Sequence, residues 1–382
     1  MSSNADKDSS SRPRQAFHMG LAALVTLAAV GGTQAETYSS DHHDFSLEVV
    51  TDGLEHPWSL AFLPSGDILV TERPGRLQVV RDGERYTEVS GLPQVSAQGQ
   101  GGLLDIALHP DFADNGWLYM SYAAETSDGG LHTHLARGQY SEGELSDVEV
   151  LFAGEPGMSG GRHFGSRIVF DDQGYLYLTI GDRGVMDSAQ DTMGHAGTTV
   201  RLHDDGSVPD DNPFVGDDSG LDEIYTWGNR NAQGMVIHPD TGEVWQHEHG
   251  PRGGDEINII RGGLNYGWPV VTTGTNYDGS TITEETSHPD MEDFIIDWTP
   301  SIAPSGMAFY TGDQFPDWEG DLFVGALAGQ RVQRLRFDGE ELVEQEDLLL
   351  DFARIRDVRD GPDGTLWLLT DESNGRLIRL VP

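Results

Sequence analysis

One pattern recurs six times along this chain: a tight turn, a short apolar and aromatic strand, then a polar exit. It reads Gly66-Asp67-Ile68-Leu69-Val70-Thr71-Glu72, and again Gly116-Trp117-Leu118-Tyr119-Met120-Ser121-Tyr122. It returns as Gly174-Tyr175-Leu176-Tyr177-Leu178-Thr179-Ile180 and Gly242-Glu243-Val244-Trp245-Gln246. The last copies are Gly320-Asp321-Leu322-Phe323-Val324-Gly325 and Gly364-Thr365-Leu366-Trp367-Leu368-Leu369-Thr370. A single copy cannot bury its own apolar faces, so the copies must pack against one another. Their spacings, roughly 45 to 80 residues, leave room for further strands and variable loops. Turn residues follow each copy, and a second run often completes a hairpin, as at Arg76–Val80 and Arg376–Val381. Long helical periodicity is missing after residue 35. Sheets repeated this way close radially into a propeller, which leaves short edges and an axis where a ligand can sit. A sandwich or jelly roll would need fewer and less regular repeats. The expected fold is therefore all-β, a six-bladed β-propeller formed as one catalytic domain by residues 36–382. The long insertions Gly181–Asp222 and Val270–Pro300 are expected to build one face of it.

Residues 1–35 read differently. Arg12 and Arg14 precede an apolar run from Leu21 to Val30, and Thr33-Gln34-Ala35 offers small residues for cleavage. The run is too short to span a bilayer, so a signal peptide is expected rather than a permanent anchor. That places the mature protein in the periplasm or outside the cell, with no stable membrane insertion. Cysteine is absent from the 382 residues, which excludes disulfides, zinc–thiolate sites and cysteine nucleophiles. The formal net charge is −41, from 64 acidic against 23 basic residues, which argues against a nucleic-acid partner. Lys7 is the sole lysine; such an acidic, lysine-poor composition resembles the surfaces of proteins from salt-loving organisms.

Chemistry-bearing residues concentrate from Gly228 to Pro269. Arg230 offers a planar fork for a carboxylate or quinone oxygen. Asp255 and Glu256 are hard oxygen donors of the kind calcium prefers, and His247 and His249 flank Glu248. His163 stands among glycines that would open it to a ligand, whereas His109, in His109-Pro110-Asp111, reads as turn chemistry. Asp182, in Gly181-Asp182-Arg183-Gly184, either caps a turn or orients an imidazole. Asp204-Asp205-Gly206 and Asp210-Asp211-Asn212-Pro213 lack calcium-loop register and read as acidic turns. Arg354 and Arg356 lie two apart on one side of an extended segment, as a polar face or an anion clamp. No phosphate loop, zinc helix or serine elbow is present.

Taken in order, several strings resemble the pyrroloquinoline-quinone (PQQ)-dependent soluble aldose sugar dehydrogenases, the glucose/sorbosone dehydrogenase family. They are Gln100-Gly101-Gly102-Leu103-Leu104, Arg162-His163-Phe164-Gly165-Ser166-Arg167, Gly181-Asp182-Arg183-Gly184 and Gly228-Asn229-Arg230-Asn231. Glu248-His249-Gly250-Pro251, Asn265-Tyr266-Gly267-Trp268-Pro269 and Arg354-Ile355-Arg356-Asp357 complete the set. The likeness runs from His56-Pro57-Trp58 to Leu380, and the family's fold is also a six-bladed propeller.

The resemblance implies a periplasmic quinoprotein that oxidises the anomeric hydroxyl of aldose sugars to lactones and passes electrons to an external acceptor. By position it implies His163 as general base and Asp182 as the carboxylate beside it. It implies Gln100, Arg230, Asn231, Tyr277, Arg354 and Arg356 as quinone contacts, and the carbonyls of Gly250 and Pro251 as ligands of calcium. Glu256 and Tyr266 match a further calcium site. One position departs: Ala328 stands where the family often carries lysine, and Gln330 and Arg331 are the candidates to compensate. Two other readings stay open, a calcium-dependent lactonase and a propeller that lost its cofactor and binds a sugar or protein.

Overall fold

The computed structural model describes residues 36–382 of the chain; the expected signal peptide lies outside the described residues. Six antiparallel sheets account for the strands. Blade 1 holds Pro57–Phe62, Ile68–Glu72, Arg76–Arg81 and Glu84–Glu88; blade 2 holds Leu103–Leu108, Trp117–Glu125, Leu131–Ser141 and Glu144–Ala153. Blade 3 runs Ile168–Phe170, Leu176–Thr179, Thr198–Leu202, Ile224–Trp227, and blade 4 runs Ala232–Ile237, Val244–Glu248, Asp255–Ile260, Ile296–Trp298. Blade 5 comprises Pro304–Phe309, Leu322–Ala326, Arg331–Asp338 and Glu341–Leu348. Every repeat read from the sequence is the second strand of its blade.

Blade 6 is composite. Ile355–Asp360, Leu366–Thr370 and Gly375–Val381 come from the end of the chain, and Asp44–Leu54, from its beginning, pairs antiparallel with Gly375–Val381. Thr37–Ser39 adds a short fifth strand. This pairing joins the two ends of the described chain and closes the ring.

The core is divided among the seams between neighbouring blades. Leu69, Leu77 and Val79 of blade 1 pack with Leu118 and Met120 of blade 2, and Tyr119 and Leu135 of blade 2 with Leu176 and Val200 of blade 3. Equivalent seams join Trp245 to Leu322, and Phe323 to Leu366 and Ile378. Leu60 and Val70 join Leu369 and Leu377 across the closing seam. The seam between blades 3 and 4 packs Tyr177 against Met235 and Val244 and adds a buried hydrogen bond from Thr199 Oγ1 to Gln246 Oε1 at 2.7 Å.

On the axis, Arg167 lies 3.2 Å from Asp105 and 3.1 Å from Asp357, and Arg359 bonds the same two acids at 3.1 and 2.8 Å. Buried charges persist only when paired and hydrogen-bonded; these four link blades 2, 3 and 6 and plug the axis.

Phe45 of the closing strand is buried against Trp318 at a ring distance of 5.8 Å, whereas Val49 on the same strand is half exposed. We expect Phe45→Ala to lower unfolding free energy by about 3–5 kcal/mol in urea titration, and Val49→Ser to shift it by less than about 0.5 kcal/mol. Equal effects would mean that the closing strand is not held by its seam.

Candidate active site

Antiparallel pairing sends two kinds of connection to one end of every blade: the entry to its first strand and the exit from its second. Gln100, His163, Asn231, Ala303 and Arg354 stand at such entries. Arg73, Asp182, His249, Leu327 and Asp371 stand at such exits. With the entry to Pro57–Phe62 and the exit from Trp117–Glu125, one end of the ring collects twelve segments around the axis.

The insertions divide between the two ends. Residues 181–197 lie at the site end. Residues 203–223, which join the third and fourth strands of blade 3, lie at the other end, where Tyr119 donates to the Asp204 carbonyl at 2.8 Å. The expectation that Gly181–Asp222 builds one face is corrected accordingly: strand Thr198–Leu202 crosses the blade in its middle. The insertion after Ile260 returns along the blade and brings Trp268 and Tyr277 to the site.

His163 is held from several directions. Its Nδ1 lies 2.6 Å from Asp182 Oδ1, and its backbone N–H donates to Gln100 Oε1 at 2.8 Å. Asp182 Oδ1 also accepts the Gly184 N–H at 2.7 Å, while Oδ2 accepts Trp268 Nε1–H at 2.9 Å. Both carboxylate oxygens are thus committed, and Nδ1–H bonding to one of them leaves Nε2 as the imidazole's free lone pair. The φ of His163 is +55°, in the sparsely populated left-handed region, where strain is sustained only by surrounding contacts. Gly181 permits the close approach: a Cβ there would lie 2.3 Å from the His163 carbonyl oxygen.

Burial pushes the His163 imidazole below its ordinary value near 6.5; Asp182 opposes this and the Arg230 charge reinforces it. Burial works against ionised Asp182, but the His163 and Gly184 hydrogen bonds and the Arg230 charge hold it below the usual carboxylate range. The pair therefore rests as neutral imidazole and carboxylate. His163, Asp182, Arg162, Arg230, Trp268 and Tyr277 line a cavity of about 150 Å³. The Tyr277 side chain is largely exposed at its mouth.

A second cavity of about 220 Å³ lies on the axis, with walls from all six blades. Gln100 and Asn231 border it, as do Arg73, Arg354 and Arg356, with Asp371 as their one carboxylate. Arg354 lies 3.2 Å and Arg356 3.5 Å from Asp371 Oδ2, and His56 lies 3.0 Å from Oδ1. Burial pushes the Arg356 guanidinium down to about 10 even with Asp371 beside it. Burial also opposes the charge on Asp371, but Arg356, His56 and Arg354 outweigh it and hold the acid well below its ordinary value. The axial cavity is cationic in a chain of net charge −41.

The Gly250-Pro251 loop is set by buried Asp255, which accepts the Gly250 N–H at 2.8 Å, the Ile302 N–H at 2.7 Å and the Ala303 N–H at 2.8 Å. Asp255 therefore clamps two loops rather than offering a free ligand oxygen. Arg230 Nη1 donates to the carbonyls of His249 and Gly250 at 2.9 and 3.1 Å. Glu248 accepts Asn229 Nδ2 at 2.7 Å and the backbone N–H groups of Arg230 and Asn231. Burial pushes Glu248 up to about 7; its cross-strand neighbour Glu256 is also pushed up, by burial and by the Glu248 charge.

The structure brings His163, Asp182, Arg230 and Tyr277 to one cavity, and Gln100, Asn231, Arg354 and Arg356 to the other. Pro251 lines the first cavity and His249 the second, with Gly250 between them in the loop. The Tyr266 hydroxyl does not join Glu256: it donates to the Ile259 carbonyl at 2.7 Å amid apolar side chains. Among the described residues, no group of three or more His, Asp or Glu side chains is placed to hold a metal. His109 accepts the Asp111 N–H at 2.9 Å, as its turn reading predicts. Neither Gln330 nor Arg331 lines the axial cavity; Gln330 is exposed, and Arg331 pairs with Asp347 at 3.0 Å. Arg73 does line it, and sequence reasoning missed it because Arg73-Pro74-Gly75 reads as a turn. Trp268, Asp371 and Glu248 were also missed as site residues, since nothing local marks an indole or acid as a partner of a distant group.

We expect the His163 ring protons to titrate by NMR below 6.5, and Asp182→Asn to lower that midpoint further by removing the one charge that favours imidazolium. A midpoint above 6.5, or a rise in the variant, would contradict this electrostatic account.

A sequence model of the Glucose / Sorbosone dehydrogenase family matches residues 54–379. The Escherichia coli (strain K12) aldose sugar dehydrogenase YliI is 44% identical over 344 residues, 88% of this chain and 93% of that protein. The crystal structure of the Escherichia coli soluble aldose sugar dehydrogenase in its apo form superposes with a TM-score of 0.86 at 42% identity, covering 88% of this chain and 99% of that one. The PQQ-bound aldose sugar dehydrogenase of Streptomyces coelicolor superposes with a TM-score of 0.71 at 28% identity, covering 88% and 98%. With its fold, its histidine–carboxylate pair and these matches together, the chain belongs to the glucose/sorbosone dehydrogenase family of sugar oxidoreductases.

Proposed function

We propose that this chain is an exported, periplasmic PQQ- and calcium-dependent dehydrogenase that oxidises the C1 hydroxyl of aldose sugars to lactones and passes the electrons to an external acceptor. The observation that carries the reading is the juxtaposition of a neutral, oriented His163 with arginines that lack carboxylate partners. Most arginines of the described residues are ion-paired, as Arg76 and Arg334 are. Arg73, Arg85, Arg162, Arg183, Arg230 and Arg252 have no carboxylate within ion-pair distance among the described residues; of these, Arg73 borders the axial cavity and buried Arg230 the cavity beside His163. A buried cation without a counter-charge is costly, so these positions suit a bound polyanion, and PQQ carries several carboxylates.

PQQ, when bound, supplies the two-electron acceptor for the hydride leaving C1. Arg73, Arg354 and Arg356 would hold its carboxylates, with Gln100, Asn231 and Arg230 on its remaining oxygens and Tyr277 at the rim. His163 Nε2 takes the C1 hydroxyl proton as the C–H bond is broken. Asp182 keeps the productive tautomer and stabilises the imidazolium that forms, and Trp268 keeps Asp182 from turning away.

Calcium, when bound, supplies a Lewis acid at the cofactor. The Gly250 and Pro251 carbonyls accept no backbone amide among the described residues, although Gly250 already accepts from Arg230 Nη1 at 3.1 Å, so an ion there would share the Gly250 oxygen with that arginine. Calcium takes six to eight oxygens, so cofactor oxygens and water would complete the shell. A further ion at Glu256 would relieve the raised proton affinity of the Glu248–Glu256 pair.

Two observations weigh against the other readings. The axial acids Asp105 and Asp357 are committed to arginines, which leaves a lactonase no free carboxylates there. Arg73 supplies a cation to the axial cavity although Ala328 does not, which removes the main argument for a propeller without cofactor.

The test is reconstitution of the apo protein with PQQ and calcium, followed by dye reduction with aldoses. We expect sugar-dependent reduction, a loss of roughly 10²- to 10⁴-fold in kcat for His163→Ala, and PQQ binding retained by that variant. Arg73→Gln should weaken PQQ binding in an absorbance titration by about ten- to a hundredfold. No PQQ binding and no sugar-dependent reduction would refute the proposal.

A further inference from the structure

The cavity beside His163 holds a cation that the proposed chemistry does not use. Arg162 lines it next to the imidazole and across from Trp268 and Tyr277. Its backbone is anchored: its carbonyl accepts from Arg183 Nη1, and Arg183 Nη2 donates to the Gly160 carbonyl at 2.9 Å. Its guanidinium lies over Gly184, where an added Cβ would come within 2.2 Å of Arg162 Nε. The one hydrogen bond of its side chain among the described residues is a long one, Nη2 to the Gly184 carbonyl at 3.3 Å. A guanidinium has five N–H donors in a rigid fork; Arg162 is exposed, so its remaining donors are open to water and to a ligand entering the cavity.

Nothing in the cavity neutralises it. Asp182 is the one carboxylate of the wall, and both its oxygens are taken by His163, Gly184 and Trp268. Arg230, the other cation of the wall, is engaged with the His249 and Gly250 carbonyls. In a chain where acids outnumber bases 64 to 23, a partnerless arginine in a substrate cavity is a site for an anion brought by the substrate.

We propose, building on the dehydrogenase reading above, that Arg162 selects aldoses carrying a carboxylate, the hexuronic acids, over neutral aldoses. In a hexuronic acid the carboxylate is borne on C5, across the ring oxygen from C1. A ring edge that presents C1–OH to His163 can therefore turn its carboxylate toward the neighbouring Arg162. A carboxylate pairs with the guanidinium through two charge-assisted hydrogen bonds, which a hydroxymethyl group cannot match. The chemistry at C1 is unchanged. A hydride and a proton leave C1 and its hydroxyl, the two electrons go to the quinone and then to the external acceptor, and the carboxylate stays intact in the lactone formed.

The experiment compares kcat/KM for glucuronate and galacturonate with those for glucose and galactose, using protein loaded with PQQ and calcium. Wild type is expected to favour the uronates, and Arg162→Gln to cut the uronate-to-neutral ratio by roughly tenfold or more. A second readout does not depend on turnover. Methyl glucuronide, which has no anomeric hydroxyl, should compete with glucose more tightly than methyl glucoside in wild type and lose that advantage in the variant. Equal or lower kcat/KM for the uronates in wild type, or a ratio unchanged by Arg162→Gln, would overturn the inference while leaving the dehydrogenase reading intact. Oxidation of neither sugar class by protein shown to bind PQQ would overturn both.

Discussion

The pairing of Asp44–Leu54 with Gly375–Val381 is the contact on which the remaining geometry depends. Each blade alone exposes two apolar faces, and each seam needs a neighbour on both sides. Only a closed ring supplies one to every blade. Closure also creates the axis, and the antiparallel order within each blade delivers strand entries and exits to the same end of it. Residues as distant in sequence as Arg73, His163, Arg230 and Arg356 meet there through connectivity, with no local attraction required.

Charge explains how that meeting place is used. Along the axis, Arg167 and Arg359 are balanced by Asp105 and Asp357, and the four fill the channel as a closed, neutral set. Above them the balance is deliberately one-sided, with one carboxylate, Asp371, shared among Arg354, Arg356 and His56, and none for Arg73. Desolvated guanidiniums in excess of their acids are unfavourable until an anion arrives. The same imbalance, set beside a histidine kept neutral by burial, ties the fold to redox chemistry on a sugar.

The second strand of each blade was legible in the sequence because it lies inside its sheet and is buried on both faces, as Leu322–Ala326 is throughout. Outer strands such as Glu84–Glu88 and Glu341–Leu348 face water and carry charged residues, so composition gives them no apolar signature. The closing strand was illegible for another reason: its partner lies more than 300 residues away. The site divides similarly. His163 and Asp182 stood out through their glycine-rich surroundings and a family likeness. Arg73 hid in a turn, Asp255 looked like a ligand but proved to be a clamp for backbone amides, and Tyr266 turned its hydroxyl into the blade.

The central claim is that His163 draws the proton from C1–OH as hydride leaves C1, with the quinone that the cationic cavity would hold supplying the acceptor. Anaerobic single-turnover mixing of PQQ-loaded protein with an aldose deuterated at C1 tests it most directly. The account predicts stoichiometric bleaching of the quinone absorbance, slowed several-fold by deuterium and slowed far more by His163→Ala. Bleaching that is indifferent to both deuterium and His163, or no bleaching at all, would contradict it.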